Sequence, residues 1–183
     1  MKDGKIYTPE SIVDLMVGDF DLRSLDILEP SCGNGNFVVK LLKAKSLKAQ
    51  DIDPVALEQM KKRCGFEGVL QDFLTSPIDE KFDLIIGNPP YIKIQDLAED
   101  TRTFLRNNFE SCRTGSVDLY YAFIEQSIRK LRPNGTLRFI IPNAWMVNAS
   151  AKSLRRLLNN YEIDFIDFGD QIIFVVCILV FLL

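Results

Sequence analysis

The segment Ile27–Phe37, which reads ILEPSCGNGNF, decides the fold of this chain. It begins as an apolar run, and Gly33 and Gly35 follow before a second apolar run starts. Glycine adopts backbone conformations that other residues avoid, and it lets a ligand approach the main chain closely. A buried strand that turns into a helix in this way is typical of α/β sheets, which bind ligands at the carboxyl ends of their strands. We therefore expect a ligand site at this turn.

The rest of the chain alternates short apolar runs with amphipathic stretches, and this alternation predicts a mixed, mostly parallel sheet with helices on both faces. The expected strands are 26–28, 47–51, 69–71, 82–87, 136–141 and one starting at 163. The expected helices are 37–45, 54–63, 118–131 and 149–159, and an N-terminal helix capped by Thr8 with Pro9 in its first turn. The apolar run 172–183 is shorter than the roughly 20 residues that span a bilayer, so it is expected to form a buried strand pair.

Composition limits the functions that this chain can have. A length of 183 residues suits one domain, expected to span 1–183, and the net charge of −3 lacks the basic surplus of most free-standing DNA-binding proteins. The absence of histidine excludes a histidine general base, a Ser-His-Asp triad and histidine ligation of zinc, and no metal is expected. The four scattered cysteines and the lack of a visible secretory leader predict a cytoplasmic location without membrane attachment.

Acidic residues follow three successive predicted strands, at Glu29, Asp51 and Asp72. A carboxylate in the glycine turn repels a pyrophosphate and attracts an ammonium group, such as that of the methionine moiety of S-adenosylmethionine. An acid about 20 residues further along suits the ribose hydroxyls, and we assign this role to Asp51 and the capping of the next helix to Asp53. Asp72, followed by Phe73, suits an adenine. The sequence therefore predicts an adenosine site along one sheet edge.

The sequence Asn88-Pro89-Pro90-Tyr91 directly follows the fourth predicted strand. Two prolines cannot continue the ladder of hydrogen bonds, and they stiffen the loop because both rings fix φ. The side-chain carbonyl of Asn88 and the main-chain carbonyl of Pro89 could accept both hydrogens of one amino group and turn its lone pair outward. Tyr91 adds a flat face on which a planar substrate can stack. This motif predicts methyl transfer to an exocyclic or amide nitrogen.

In this order the motifs resemble those of the γ-class N6-adenine DNA methyltransferases of restriction-modification systems. The segments that carry the resemblance are YTPE (7–10), LEPSCGNGNF (28–37), DIDP (51–54), DF (72–73), NPPY (88–91), DLYYAF (118–123) and LRPNGTLRFIIPNAWM (131–146). The resemblance implies a Rossmann-like S-adenosylmethionine-dependent methyltransferase fold. It further implies a cofactor site formed by Tyr7, Thr8, Glu29, Cys32, Gly33, Asp51, Ile52, Asp72, Phe73 and Phe123, and a catalytic loop of Asn88, Pro89, Pro90 and Tyr91. Its substrate would be an adenine flipped out of DNA.

Three questions stay open at this point. Members of the resembling family that act alone carry a recognition domain, which is not visible here, so such a domain or a specificity subunit is expected outside this chain. Protein methyltransferases acting on a glutamine amide also use the NPPY sequence, although their glycine turn tends toward DxGTGSG. A partner-dependent cofactor-binding module is the other alternative. The basic cluster Lys152, Arg155 and Arg156 either contacts phosphate or forms a solvated helix face.

Overall fold

Strands and helices largely alternate in the computed structural model, which describes residues 8–167 and 173–179. The strands are β1 (Asp26–Glu29), β2 (Ser46–Asp51), β3 (Val69–Leu70), β4 (Phe82–Gly87), β5 (Leu131–Pro142), β6 (Glu162–Asp167) and β7 (Ile173–Leu179). The helices are α1 (Glu10–Val17), α2 (Val38–Leu41), α3 (Pro54–Cys64), α4 (Glu99–Asn108), α5 (Tyr120–Lys130) and α6 (Lys152–Leu158). None of the helices within these described ranges has the length and apolar character needed to cross a membrane.

The described strands form one sheet in the order β3-β2-β1-β4-β5-β7-β6. The pairs from β3 to β5 are parallel, and β7 is antiparallel to both of its neighbours. The carboxyl ends of β1, β2, β3 and β4 therefore lie at one edge of the sheet. The predicted mixed, mostly parallel sheet is confirmed.

Helices cover both faces of the sheet, because alternate strand residues enter different cores. Ile27 and Leu84 pack in a cluster with α1 and α2, whereas Leu28 and Ile85 pack in a cluster with α5 and α6. All four side chains have no exposed surface. The sheet is thus held between two apolar layers, which fixes the strand ends against one another.

Two expectations for the N-terminal half are wrong. Pro9 occupies the position before α1, and its carbonyl accepts from the Ile12 and Val13 N–H groups, so Thr8 is not the helix cap. Helix α2 ends at Leu41 and not at Lys45, because the Lys45 N–H donates to the Leu22 carbonyl at 3.1 Å as the chain enters β2. Tertiary pairing shortens a helix that the local pattern would extend.

The segment Pro133–Gly135 does not separate α5 from the next strand as the sequence predicts. Strand β5 already begins at Leu131, which pairs with Phe82, and the next pair joins Leu84 to Thr136. One residue of β4 therefore lies opposite four residues of β5, which form a bulge. Within it, Asn134 adopts a φ of 61°, a left-handed conformation that asparagine tolerates better than most residues.

Two expectations near the C-terminal end are also corrected. Helix α6 covers only Lys152–Leu158, and a short 3₁₀ turn, Ala149–Ala151, precedes it. The described part of the apolar tail forms a single strand, β7, and not a pair of strands. It pairs with β5 on one side and with β6 on the other. These two strands supply hydrogen-bond partners for its backbone, so no turn is needed inside the apolar run.

Candidate active site

One cavity of about 690 Å³ lies at the carboxyl ends of β1 to β4. Its size is within the usual range for small-molecule sites. Every predicted site residue in the described part of the chain lines it, namely Thr8, Glu29, Cys32, Gly33, Asp51, Ile52, Asp72, Phe73, Asn88, Pro89, Pro90, Tyr91 and Phe123. Tyr7 lies outside the described residues.

The glycine turn after β1 is tied to the tip of β2 by one carboxylate. Asp51 accepts from the Gly33 N–H at 2.8 Å and from the Asp53 N–H at 2.9 Å. Gly33 has a φ of +51°, and a Cβ atom there would meet no atom of the described residues within 4 Å. The absence of a side chain therefore leaves room in the cavity beside the main chain. Asp51 has further lone pairs for a ligand, since a carboxylate can accept about four hydrogen bonds.

Glu29, at the end of β1, is buried, and its Oε2 atom has no hydrogen-bond partner among the described residues. Burial and the nearby charge of Asp51 raise its pKa well above the ordinary value. A buried carboxyl group without a partner is costly unless a ligand completes it. An ammonium group in the cavity would supply the missing donor and charge. This observation fits the residues to S-adenosylmethionine, which carries such a group.

The acidic residues at the ends of β2 and β3 cap the elements that follow these strands, and they also line the cavity. Asp53 accepts from the Val55 N–H at 2.9 Å and so caps α3, as the sequence predicts. Asp72 likewise caps a short 3₁₀ turn by accepting from the Leu74 N–H at 2.9 Å, while it still lines the cavity. The rings of Phe73 and Phe123 lie 5.1 Å apart, and both line the same wall. Together they form an apolar surface suited to a flat base.

The loop after β4 holds Asn88 by several contacts. The Ser31 hydroxyl donates to the Asn88 main-chain carbonyl at 3.2 Å, and the Asn88 Nδ2 donates to Thr8 Oγ1 at 3.2 Å. The Tyr91 hydroxyl lies 2.5 Å from Asn88 Oδ1 and 2.9 Å from the Ile140 carbonyl. The Tyr91 ring meets Tyr120 edge-on at 6.1 Å, and burial raises the pKa of Tyr91. Tyr91 is therefore a neutral hydroxyl anchored beside Asn88.

Some lining residues have no signal in the sequence. Leu97, in the loop before α4, and Thr101, in the first turn of α4, line the cavity. Asn36 donates from Nδ2 to the Thr8 carbonyl at 3.1 Å, a contact between distant segments that no local pattern indicates. Among the described residues, no cluster of three or more histidine, cysteine or acidic side chains could hold a metal ion.

Chemically, the cavity joins two sets of groups. The first set consists of three acidic strand ends and an aromatic pair. The second is the rigid loop after β4, which carries the amide of Asn88 and the phenol of Tyr91. Cys32 also lines the cavity, but burial and the charges of Glu29 and Asp51 raise its pKa, so it is a thiol and not a nucleophilic thiolate. The arrangement can hold a cationic adenosine compound beside a planar amine without covalent catalysis by the protein.

Comparison with known proteins also finds methyltransferases. The Eco57I restriction-modification methylase family model matches residues 36–174. The type II methyltransferase M.TthHB8I of Thermus thermophilus is 36% identical over 166 residues, covering 85% of this chain and 38% of that protein. M.HincII of Haemophilus influenzae is 32% identical over 162 residues, covering 86% and 31%. The chain thus spans well under half the length of these relatives.

The fold also matches solved methyltransferases. Magnesium protoporphyrin IX methyltransferase ChlM of Synechocystis PCC 6803, solved with bound S-adenosylmethionine, superposes with a TM-score of 0.60 at 14% identity. The match covers 93% of this chain and 77% of that one. At this identity the likeness concerns the fold alone, which is that of the S-adenosylmethionine-dependent methyltransferases.

Proposed function

The chain belongs to the Eco57I restriction-modification methylase family, and on that basis we propose that it methylates the N6 amino group of adenine in DNA. S-adenosylmethionine is the cofactor of this fold and family. One observation carries the proposal: Asn88, Pro89, Pro90 and Tyr91 line the same cavity as the acidic ends of the neighbouring strands. A group that positions an amine therefore lies beside a site for a cationic adenosine compound.

The cofactor would be held by the residues of the first three strand ends. Glu29 would accept from the ammonium group, Asp51 from the ribose hydroxyls, and Asp72 from the adenine amino group. Gly33 leaves the cavity open beside the main chain, Ile52 would lie at the ribose, and Phe73 and Phe123 would cover the base. Thr8, Cys32 and, from outside the described residues, Tyr7 complete the proposed set.

When bound, S-adenosylmethionine would supply a methyl group on a positively charged sulfur atom. The sulfur would keep the electrons of the broken carbon–sulfur bond, and the amine nitrogen would form the new bond and release one proton to solvent. The protein's part is to orient the acceptor. Asn88 Oδ1 and the Pro89 carbonyl would accept the two hydrogens of the amine, which directs its lone pair toward the methyl group. The ring of Tyr91 would stack on the target base. Such positioning is worth several orders of magnitude in rate without any covalent intermediate on the enzyme.

DNA is the proposed substrate, with its adenine flipped out of the helix because the amine is unreachable in a stacked duplex. The residues 1–183 would form the catalytic domain, and a recognition domain or a specificity subunit would supply the grip on DNA. The net charge of −3 supports this division of labour, since phosphate contacts require basic residues. We propose that the reaction takes place in the cytoplasm.

The first experiment measures the transfer of labelled methyl groups from S-adenosylmethionine to unmethylated genomic DNA, followed by digestion to nucleosides. We expect the label in N6-methyladenine, and we expect Asn88→Ala to abolish it because the main acceptor of the amine is lost. Asn159→Ala, an exposed change outside the cavity, is the matched control and should keep the wild-type rate.

The products separate the alternatives. Label in N4-methylcytosine would contradict adenine as the target while keeping DNA as the substrate. Label in a release-factor peptide and none in DNA would identify the enzyme as a glutamine methyltransferase, which shares the NPPY sequence. Cofactor binding in calorimetry without any methylated product would identify a module that depends on a partner.

A further inference from the structure

Asn36, in the glycine turn after β1, is hydrogen bonded to two other segments of the chain. Its Nδ2 donates to the Thr8 main-chain carbonyl at 3.1 Å, and its Oδ1 accepts from the Arg63 guanidinium. A main-chain carbonyl can only accept hydrogen bonds, and a guanidinium group can only donate them. The two partners therefore define which end of the Asn36 amide is the nitrogen and which is the oxygen.

Thr8 is held beside the cavity from two sides. It lines the cavity, as Asn36 does, and only 7% of its surface is exposed. Its carbonyl binds Asn36, and its hydroxyl oxygen lies 3.2 Å from Asn88 Nδ2 in the catalytic loop. Thr8 therefore joins the glycine turn to the catalytic loop, and a shift of its main chain would change the shape of the cavity wall.

Arg63 lies in the last turn of α3 and is not among the described residues that line the cavity. Its neighbour Lys62 forms an ion pair with Glu58, whereas the guanidinium of Arg63 binds Asn36. A hydrogen bond from a charged donor is stronger than one between neutral groups, so it can hold the amide against rotation of its soft terminal torsion. Arg63 can thus affect a ligand that it does not touch in two ways, through Asn36 and through its charge.

These two effects have opposite signs for S-adenosylmethionine. The cofactor carries positive charges on its sulfur and its ammonium group and a negative charge on its carboxylate, so its net charge is positive. Removal of a nearby positive charge from the protein would strengthen its binding slightly, because like charges repel. Loss of the contact with Asn36 would weaken its binding, because the cavity wall would no longer be held in one position. The direction of the change in affinity therefore distinguishes the two effects.

We propose that Arg63 is a positioning residue for the cofactor: it orients the Asn36 amide, which in turn holds the Thr8 main chain against the cavity. This role rests on the proposed cofactor site, but it does not require that DNA is the substrate. A site that is held in shape binds more tightly because less freedom is lost when the ligand enters. The N-terminal segment, the glycine turn and the end of α3 thereby act together in cofactor binding.

The test compares the affinities of Arg63→Ala and Lys62→Ala for S-adenosylmethionine, measured by isothermal titration calorimetry. Both changes remove one positive charge from the last turn of α3, so their effects on the helix dipole and on the net charge are matched. We expect Arg63→Ala to weaken binding about 3- to 10-fold, the scale of one hydrogen bond. Lys62→Ala should leave the affinity unchanged or slightly higher. Arg63→Lys, which keeps a charged donor, should recover part of the loss.

A double-mutant cycle with Asn36→Ala is the second part of the test. Asn36→Ala should weaken binding at least as much as Arg63→Ala does. Adding Arg63→Ala to it should have no further effect, because Arg63 acts through Asn36. If Arg63 only stabilised α3, its replacement would lower the free energy of unfolding in urea, and the losses of affinity would add in the double variant.

The outcomes separate this role from the proposed function. Unchanged or tighter binding by Arg63→Ala, or a further loss in the double variant, would overturn the proposal. If the wild type did not bind S-adenosylmethionine at all, the proposed cofactor site would fail together with this role. The expected pattern of affinities without any methylation of DNA would support the role of Arg63, and only the proposed substrate would fail.

Discussion

Tyr91 brings two chemically different parts to the active site, a ring and a hydroxyl group. In the structure the hydroxyl lies 2.5 Å from Asn88 Oδ1, the atom that the target amine would need. Asn88 Oδ1 has two lone pairs, so an entering amine either shares this oxygen with the hydroxyl or displaces it. The hydroxyl has a second acceptor in the Ile140 carbonyl at 2.9 Å. In the empty site the hydroxyl is a hydrogen-bond partner of Asn88, whereas the ring is the part that would bind substrate.

This division leads to a prediction for two substitutions of Tyr91. Tyr91→Phe should keep methylation within about threefold of the wild type. The ring remains, and the target amine would bind Asn88 Oδ1 whether or not a hydroxyl group lies beside it. Tyr91→Ala should lower kcat/KM about 10- to 100-fold, in line with about 1–3 kcal/mol for stacking on a base. Steady-state kinetics on DNA would measure both. An equal loss in the two variants would mean that the hydroxyl itself is needed.

Glu29 leads to a prediction about protons. Burial and the charge of Asp51 hold its pKa well above the ordinary value of 4.5, whereas an ammonium ligand favours the ionised carboxylate. Cofactor binding should therefore release a proton, and affinity should rise with pH until the raised pKa of the empty site is passed. Isothermal calorimetry in buffers of different ionisation enthalpy would measure this release.

Two further results follow for Glu29. Glu29→Gln should bind the cofactor more weakly and lose the release of the proton; the same release in this variant would assign it to another group. The raised pKa also means that the folded protein binds more protons than the unfolded chain above pH 4.5. The stability contributed by this protonated group should therefore decline as the pH rises through that window.

At the level of elements, the turn between β1 and α2 contains a natural pair of matched sites. Gly33 and Gly35 both have positive φ, at +51° and +85°, but only at Gly35 would a Cβ atom collide, at 2.5 Å from Met60 Cγ. Both alanine substitutions carry the strain of a left-handed residue, about 1–2 kcal/mol. Gly35→Ala should lose about 1–3 kcal/mol more, because Met60 is buried and must move.

Urea unfolding of both variants would measure this difference in the free energy of unfolding. In a cofactor titration we expect the opposite order, with the larger loss of affinity in Gly33→Ala. Gly33→Ala places its methyl group in open space beside the cavity, so its main effect should be weaker cofactor binding. Equal free energies of unfolding in the two variants would show that Met60 yields without cost and that backbone strain alone matters.

The sequence predicted the elements whose boundaries are set locally. Strand β4 ends at Gly87 because prolines follow, and α3 starts at Pro54 because Asp53 caps it. The set of residues around the cavity was also predictable, since strand ends in a parallel sheet meet at one edge. Their individual roles stay predictions.

The elements that escaped prediction are those whose boundaries depend on distant partners. The Pro133–Gly135 segment has the composition of a turn, yet it is a bulge because Leu131 and Thr136 both pair with β4. Thr8 looks like a helix cap, yet its hydroxyl binds Asn88, far away in the chain. Such contacts follow from the sheet register and from side-chain packing, which no local pattern contains.

At the level of the whole molecule, half of the twenty basic side chains among the described residues are matched by acids in ion pairs. Ten basic side chains form ion pairs there: Lys40, Lys45, Lys48, Lys61, Lys62, Lys93, Arg102, Arg129, Arg132 and Arg138. Arg155 instead donates to the carbonyls of Trp145 and Asn148, so it braces the loop after β5. Arg155 therefore has a structural role, unlike a residue that contacts phosphate or only forms a solvated helix face.

This charge balance predicts weak, weakly salt-dependent binding of DNA by the protein alone. Between about 50 and 200 mM salt, the affinity for a random duplex should fall by less than about tenfold, against about 10³–10⁵ for proteins with many phosphate contacts. Fluorescence anisotropy with a labelled duplex would measure the slope. A steep slope would mean that a basic surface of this chain grips the backbone directly and that no partner is needed for that step.

Strand β7 follows β6 in the chain but lies between β5 and β6 in the sheet. During synthesis, β6 therefore has no place in the sheet until residues 173–179 have left the ribosome, and the outer edge of β5 stays unpaired for the same interval. An open apolar edge can pair with the wrong chain. The two strands must then be added together, so the risk of aggregation is concentrated in one late step of folding.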